Sequence, residues 1–270
     1  MHGSSRAAAA AGQRAFQSAL SSGADWSTLA EDLFGITAVI DSSATLRRGL
    51  ADPSRDADSK RQLVARLFGG KVSQAAVDLL SELVAQRWST ERDLSDTVES
   101  LAVETVLASA EAGGRSDQVE DELFRFERIV AGSPDLREAL TDRNADRQAQ
   151  ADLVGRLLQG KVATETARLA RQAVLAPRAR RFDRTFRDYL ALAAKRREQL
   201  TAVVTAAVNL DEAQRSRLAS ALQRIYGKPI QLHLVIDEKV VGGIRVRIGD
   251  DVVDGTVLRK LESARRHIAG

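Results

Sequence analysis

The 270-residue sequence contains no cysteine, four prolines and one methionine, and its aromatic residues are only seven Phe, two Trp and two Tyr. Without cysteine the chain cannot form disulfides, thiolate metal sites, iron–sulfur clusters or a cysteine nucleophile. The three histidines, His2, His233 and His267, lie far apart in the sequence, which argues against a histidine metal site. We therefore expect no cofactor and no metal, and the composition is typical of a structural protein.

Positive and negative charges are nearly balanced, because the chain has 40 Lys and Arg and 37 Asp and Glu, which leaves a formal net charge of +3. Such a chain has no strong overall field that would attract nucleic acid or acidic lipid. The longest apolar stretch without charge, residues 200–210, is far shorter than the roughly 20 residues that span a bilayer. The alanine-rich N-terminus also lacks the leucine core of a signal peptide. We expect a soluble chain that reaches a membrane only through other proteins.

An internal repeat with an offset of 90 residues organises the first two thirds of the chain. Residues 46–72 and 136–162 align without a gap and are identical at 12 of 27 positions. The same register holds upstream, where Leu33-Phe34 matches Leu123-Phe124 and Ser43 matches Ser133. A register kept over so long a stretch indicates a duplication.

Each copy of the repeat predicts a bundle of short helices. The apolar residues that recur at the helical period in the second copy are Val119, Leu123, Phe126 and Val130. Ser133 followed by Pro134 is a signal for a helix start. Gly70 and Gly160 are expected where helices stop, because glycine adopts the left-handed conformation of a helix end without strain.

The segment after residue 199 has a different pattern. Residues 200–208, 229–237 and 242–250 predict strands, and a polar start at Asn209 predicts a helix after the first of them. In the third strand Arg245 and Arg247 alternate with apolar residues, so one face is expected to be apolar and the other cationic. Thr256 is expected to cap a closing helix. The order β-α-β-β-α predicts a small α/β domain with a three-stranded sheet.

The fold class is therefore mostly α, with two tandem repeated helical bundles followed by a small α/β domain. We predict the first bundle over residues 1–112, the second over 113–198 and the α/β domain over 199–270. Shifted by 90 residues, the opening helix of the chain falls on a helix predicted over residues 93–111. That helix either closes the first bundle alone or also opens the second.

Ordered motifs run through the last 70 residues and through the second bundle. Residues 241–256 read V-G-G-I-x-V-x-I-G-D-x-V-x-D-G-T, and residues 133–142 and 153–162 read S-P-D-L-R-E-A-L-x-D and L-V-x-x-L-L-x-G-K-V. Together they resemble the delta subunit family of the bacterial F-type ATP synthase, whose mitochondrial counterpart is the oligomycin-sensitivity-conferring protein. The C-terminal positions that match the family motif are Gly242, Gly243, Gly249, Asp250, Asp254 and Gly255.

The resemblance implies a non-catalytic subunit of the peripheral stalk, the stator that keeps the catalytic head from turning with the rotor. It implies that the helical bundle binds N-terminal helices of the alpha subunits and that the C-terminal domain binds the b subunit. One copy per complex at the cytoplasmic face of the cell membrane is expected. Residues 10–20 resemble the family's first helix, and Arg14, Phe16 and Leu20 are the expected alpha-subunit contacts. The second bundle departs from the usual plan in a way typical of actinobacterial relatives, and the sequence leaves open which copy contacts alpha.

An arginine-rich segment, residues 178–197, favours a different function. Its basic residues outnumber its acids, and Phe182, Phe186 and Tyr189 lie among them, so a helical nucleic-acid-binding module is the alternative hypothesis. The same aromatic residues recur at helical spacing, which is more typical of a core. A solvated basic helix face, or a surface for an acidic partner, is the interpretation that we prefer for the arginines.

Residues 155–161 spell most of a phosphate-binding loop, but Val162 stands where Ser or Thr would bind magnesium. The stretch is also predicted to be helical, with no strand before it, so a helix end is the better interpretation. Gly242-Gly243 is interpreted as a turn between two strands. Asp250, Asp251 and Asp254 supply too few ligands for a cation loop and are assigned to turn and capping roles.

Overall fold

The computed structural model describes residues 3–21, 23–198, 200–226, 230–237, 240, 242–248 and 251–254. The chain divides into two compact units, of which the first ends at Ala194 and the second begins at Lys195.

Eleven helices begin within the described part of the first unit. Their bounds are α1 Gly3–Ser21, α2 Trp26–Ser42, α3 Ala44–Ala51, α4 Ala57–Phe68, α5 Gln74–Ala85, α6 Glu91–Ala112, α7 Ser116–Gly132, α8 Pro134–Thr141, α9 Arg147–Leu158, α10 Thr164–Leu175 and α11 Phe182–Glu198. A single hydrophobic core connects these helices.

The 90-residue repeat is a repeat of structure. Adding 90 to the bounds of α2, α3, α4 and α5 yields the bounds of α7, α8, α9 and α10. Ser43 and Ser133 cap α3 and α8 by accepting backbone N–H groups, and Asp56 and Asp146 do the same for α4 and α9. The predicted helix starts and the buried face of α7 are thereby confirmed.

Helix ends recur as well. Gly70 and Gly160 lie just after α4 and α9 with φ of 70° and 69°. Any other residue would be strained in this conformation, which explains why glycine stands at both positions.

Recurring polar contacts tie the helices of each copy together. In the first copy Ser73 N–H, at the start of α5, donates to Asp32 Oδ2 of α2 at 2.8 Å. In the second copy Ala163 N–H donates to Glu122 Oε2 of α7 at 2.9 Å. In each copy, a carboxylate of α2 or of its counterpart α7 therefore accepts a hydrogen bond from the start of α5 or of its counterpart α10. The dipole of a helix favours negative charge at this end.

Helix α6 belongs to both copies. It packs on α1, α2, α3 and α5 of the first copy and on α7 and α10 of the second. Its buried residues follow no single face and are Leu94, Ser95, Thr97, Val98, Glu99, Leu101, Ala102, Val103, Glu104, Thr105, Val106, Leu107, Ala108 and Ala110. A helix that is buried on every side must have neighbours on every side. Helix α6 therefore packs against helices of both copies.

The described part of the second unit holds a mixed sheet and one helix. Their bounds are β1 Leu200–Ala206, α12 Glu212–Tyr226, β2 Ile230–Ile236, β3 Ile244–Ile248 and β4 Asp251–Asp254. The strand order is β2-β1-β3-β4, with β1 parallel to β2 and antiparallel to β3. Leu222 of α12 lies in one core with Ala202, Val204, Val246 and Ile248.

The sheet differs from the expected three strands. Residues Asp251–Asp254, assigned to a turn from their acidic residues, form the short strand β4 beside β3, with Ile248 opposite Asp251. The polar helix start is a capping box, because Gln214 N–H donates to Asp211 Oδ1 at 2.7 Å and Asp211 N–H donates to Gln214 Oε1 at 2.9 Å. The closing helix expected from Thr256 lies outside the described residues.

Candidate functional site

The connection between α10 and α11 carries Arg178 into the interior. Arg178 and Ala179 have φ of 51° and 58°, a conformation that non-glycine residues rarely adopt. This backbone turns the Arg178 side chain inward, where it is 5% exposed. The guanidinium donates to Asp41 of α2, to Ser95 Oγ of α6 at 2.7 Å and to Glu99 Oε2 of α6 at 2.5 Å. A loop of the second copy is thus bound to α2 of the first copy and to α6, on which both copies pack.

Glu99 is shared between two arginines. Its second oxygen accepts a hydrogen bond from Arg180, and its side chain is only 4% exposed. Burial alone lowers the pKa of Arg178, but the hydrogen bond to Asp41 and the charges of Glu99 and Asp96 outweigh burial and raise it. The buried charges are therefore paired, which is the condition under which charges persist in a core.

This network changes the interpretation of the arginine-rich segment. Arg178 and Arg180 are not on a solvated helix face; their acidic partners belong to the same chain. On α11 the exposed Arg184 and Arg187 form i,i+4 pairs with Asp188 and Asp183. A nucleic-acid-binding function is unsupported, because Arg178, Arg180, Arg184 and Arg187 each pair with carboxylates of the same chain.

The aromatic residues of the same segment are core, as their spacing predicts. Phe186 and Tyr189 are fully buried, and Phe126 of α7 lies 5.7 Å from Phe186 between ring centroids. Phe182 packs at the edge of this cluster, 4.7 Å from Phe186. No hydrogen-bond partner for the buried Tyr189 hydroxyl is present among the described residues.

A second contact between the copies centres on Arg168 of α10. Its guanidinium forms a two-pronged ion pair with Glu31 of α2, with Nη2 at 2.7 Å from Oε2. Its Cζ also lies 4.5 Å from the centroid of the Phe34 ring, a cation–π contact. Phe34 is 4% exposed. Arginines of the second copy therefore contact α2 at two separate places.

The residues expected to contact alpha lie in different environments. Phe16 and Leu20 are buried in the core between α1 and its neighbours, while Arg14 is exposed on the outer side of α1. Substitution of Phe16 or Leu20 would therefore act through the packing of α1. The exposed surface of α1 is carried by other residues, which include Arg6, Ala10, Arg14 and Ser18.

The segment that resembles a phosphate-binding loop is a helix end. Residues 155–158 are the last of α9, Gly160 has the left-handed conformation, and Lys161 Nζ donates to the Leu157 carbonyl at 3.0 Å. Among the described residues, no group of three or more His, Asp or Glu is placed to hold a metal ion.

The family-motif residues of the second unit lie around β3. Gly242 and Gly243 precede β3 with φ of 63° and 78°, and Asp254 ends β4 opposite Arg245. Gly249, Asp250 and Gly255 lie outside the described residues. Arg245 and Arg247 are exposed and alternate with buried Val246 and Ile248, which confirms the apolar and cationic faces predicted for this strand.

Only one face of the sheet packs on α12 in the described part of this unit. In-register pairs place Val235, Thr205 and Arg245 in one row across the opposite face and Val203, Arg247 and Val252 in the next. Val235 and Val252 are about half exposed on this face. It combines apolar and cationic side chains, a combination that suits a partner with apolar and acidic residues.

No helix in the described ranges combines the length and the apolar character that crossing a membrane would need.

Comparisons with known proteins assign the chain to a family. The model of the ATP synthase delta (OSCP) subunit family matches residues 103–268. The ATP synthase subunit delta of Kineococcus radiotolerans is 47% identical over 99% of this chain and 98% of its own length. Those of Streptomyces avermitilis and Nocardia farcinica are each 44% identical, over 99% and 100% of this chain and 98% and 100% of their own. The match to the family model begins inside α6, so it takes in the second copy and the C-terminal unit and leaves most of the first copy outside. The chain therefore belongs to the ATP synthase delta (OSCP) subunit family.

Proposed function

We propose that this chain is the stator subunit that links the alpha subunits of the catalytic head to the b subunit of the peripheral stalk. Members of the family are structural subunits of ATP synthase and not catalytic ones. One copy per complex, held at the cytoplasmic face of the cell membrane through the other subunits, completes the proposal. The observation that carries it is the similarity to ATP synthase delta subunits over nearly the whole chain.

We assign the b subunit to the C-terminal unit, residues 199–270. The supporting feature is the sheet face that carries Val235, Val252, Arg245 and Arg247, because an amphipathic helix binds through its apolar face and the arginines favour acids beside that face. The unit has a core of its own, so it can form this surface independently.

We assign the alpha subunits to the helical unit. The family model matches the second copy, residues 113–198, together with the end of α6, which supports this copy as the one that makes the usual contacts. The first copy, residues 1–112, is then a further surface for the head. Its exposed α1 residues, with Arg14 among them, form that surface, and the buried Phe16 and Leu20 hold α1 in position.

Reconstitution tests the proposal. Membranes that carry the proton channel and the b subunit, stripped of the head and of this chain, should fail to rebind the head and to pump protons on ATP addition. Adding the purified chain should restore both. A chain truncated after residue 198 should still bind the isolated head but no longer restore pumping. Head rebinding that is unchanged without the chain would contradict the proposal.

A further inference from the structure

The two copies of the repeat differ at one matched surface. Phe34 of α2 and Phe124 of α7 occupy the same position in the repeat, yet Phe34 is 4% exposed and Phe124 is 53% exposed. Arg168 of the second copy lies over the Phe34 ring and pairs with Glu31. The position of Glu31 is occupied in the second copy by Asp121, also an acid. Asp121 and Phe124 of the second copy therefore match Glu31 and Phe34, the residues that bind Arg168. Unlike Phe34, Phe124 is exposed on the surface of the protein.

The surroundings of Phe124 are acidic. Residues three and four positions away on a helix share its face, and here they are Glu120, Asp121, Glu127 and Arg128. Asp121 forms an exposed i,i+4 ion pair with Arg125, at 2.8 Å from Nη2. Pairs of this kind contribute little and exchange readily for a better partner. A phenyl ring bordered by carboxylates is a surface that suits a guanidinium group.

A second copy of this chain is a poor occupant. If the first copy of another chain continued the repeat, its α5 would lie on α7 in the way that α10 lies on α2. The residue of α5 that matches Arg168 is Asp78, an acid that would face Asp121 and its acidic neighbours. Like charges at this contact oppose stacking of chains end to end. The repeat geometry therefore favours an occupant from a different protein.

We propose that the surface of α7 formed by Glu120, Asp121, Phe124 and Glu127 binds a helix of another synthase subunit through an arginine that stacks on Phe124. This inference rests on the proposed function, because it places the partner within the synthase. The internal contact of Arg168 with Glu31 and Phe34 is the template for the geometry.

Substitution of Phe124 in the full chain tests the inference. Phe124→Ala and Phe124→Leu should each weaken binding to the remainder of the synthase by about tenfold, since both remove the ring under the arginine. Ile129→Ala is the matched control, because Ile129 is 59% exposed on the same helix but lies on another side of it, and it should bind within about twofold of wild type. All three should unfold in urea like wild type.

Photocrosslinking identifies the occupant. With p-benzoylphenylalanine at position 124 in the reassembled synthase, the crosslinked peptide should come from another subunit and contain an arginine. Wild-type binding by Phe124→Leu, a crosslink between two copies of this chain, or no crosslink in an active complex would overturn the inference and leave the proposed function intact. If the wild-type chain itself restores no coupling, both fail together.

Discussion

Arg178 of the α10–α11 connection donates to Glu99 of α6 at 2.5 Å, and both side chains are at most 5% exposed. The pair lies where the α10–α11 connection meets α6, so it fastens the second bundle to the helix that both bundles share. Because Glu99 also binds Arg180, one buried carboxylate holds two arginines of the connection.

Removal of Arg178 should therefore be costly. Arg178→Met leaves Glu99 buried with one cation instead of two and leaves Asp41 without this guanidinium, so we expect a loss of about 3–5 kcal/mol in the free energy of unfolding. Arg178→Lys keeps the charge but loses the forked geometry and should lose less. Urea unfolding measures both, and an Arg178→Met variant as stable as wild type would show that the network is not stabilising.

The two copies should unfold together. Both tryptophans, Trp26 and Trp88, lie in the first copy, so tryptophan fluorescence reports that copy alone. Phe126→Ala empties part of the aromatic cluster of the second copy and should destabilise it by about 3–5 kcal/mol. Because α6 is shared, the fluorescence midpoint in urea should move as far as the midpoint from circular dichroism. A fluorescence transition that stays in place would mean that the copies are independent.

Acid should reveal the contact between Arg115 and Glu165. Burial raises the pKa of Glu165, but the hydrogen bond from Arg115 Nη2 at 2.5 Å and its charge outweigh burial and lower the pKa below its usual range. A carboxylate with a lowered folded-state pKa stabilises the protein above its unfolded pKa of about 4.3, and this stability is lost as pH falls through the folded value.

Arg115→Gln should accordingly destabilise the chain at pH 7 and progressively less below about pH 4. Urea unfolding at a series of pH values measures the difference from wild type. Arg66→Gln, at an exposed position in the first copy, serves as the control and should show no such pH dependence. A destabilisation by Arg115→Gln that is equal at pH 7 and pH 3 would contradict the assignment.

Tyr189 carries a hydroxyl that is buried in the hydrophobic core. Burial raises the pKa of this phenol, and among the described residues no partner accepts its proton. Tyr189→Phe removes a desolvated polar group while keeping the ring, so we expect a variant as stable as wild type or more stable by about 1 kcal/mol. Thermal unfolding checks this, and a clear loss of stability would show that the hydroxyl has a bonding role.

The repeat made most of the helical architecture predictable. An identical register at positions such as Leu50 and Leu140, with the same capping residues before both, specifies the same helices twice. The strand pattern of residues 244–248 was equally clear, because apolar and charged residues alternate there. Local periodicity and capping chemistry are sufficient for such elements.

The contacts between helices and strands could not be predicted from the sequence in the same way. Arg178 has the same sequence signature as a solvated arginine, and only its left-handed backbone and the facing acids show that it is buried. Strand β4 was assigned to a turn because its aspartates favour turns, and pairing with β3 overrides that preference. Phe34 and Phe124 are the same residue at the same repeat position, so their different exposure arises from what lies beside each copy.

Because α6 packs on both copies, a chain of this kind can gain or lose a bundle in steps of one 90-residue repeat. A new bundle needs only 90 residues, since its first helix is already present as the last helix of the bundle before it. The reverse step exposes apolar side chains, because deletion of residues 1–90 would leave Leu94, Val98 and Leu101 without the helices that cover them. Descendants that lose the first copy are therefore expected to carry polar substitutions along that side of the helix, and gain of a copy demands the reverse change, apolar residues on the side of the helix that the new bundle covers.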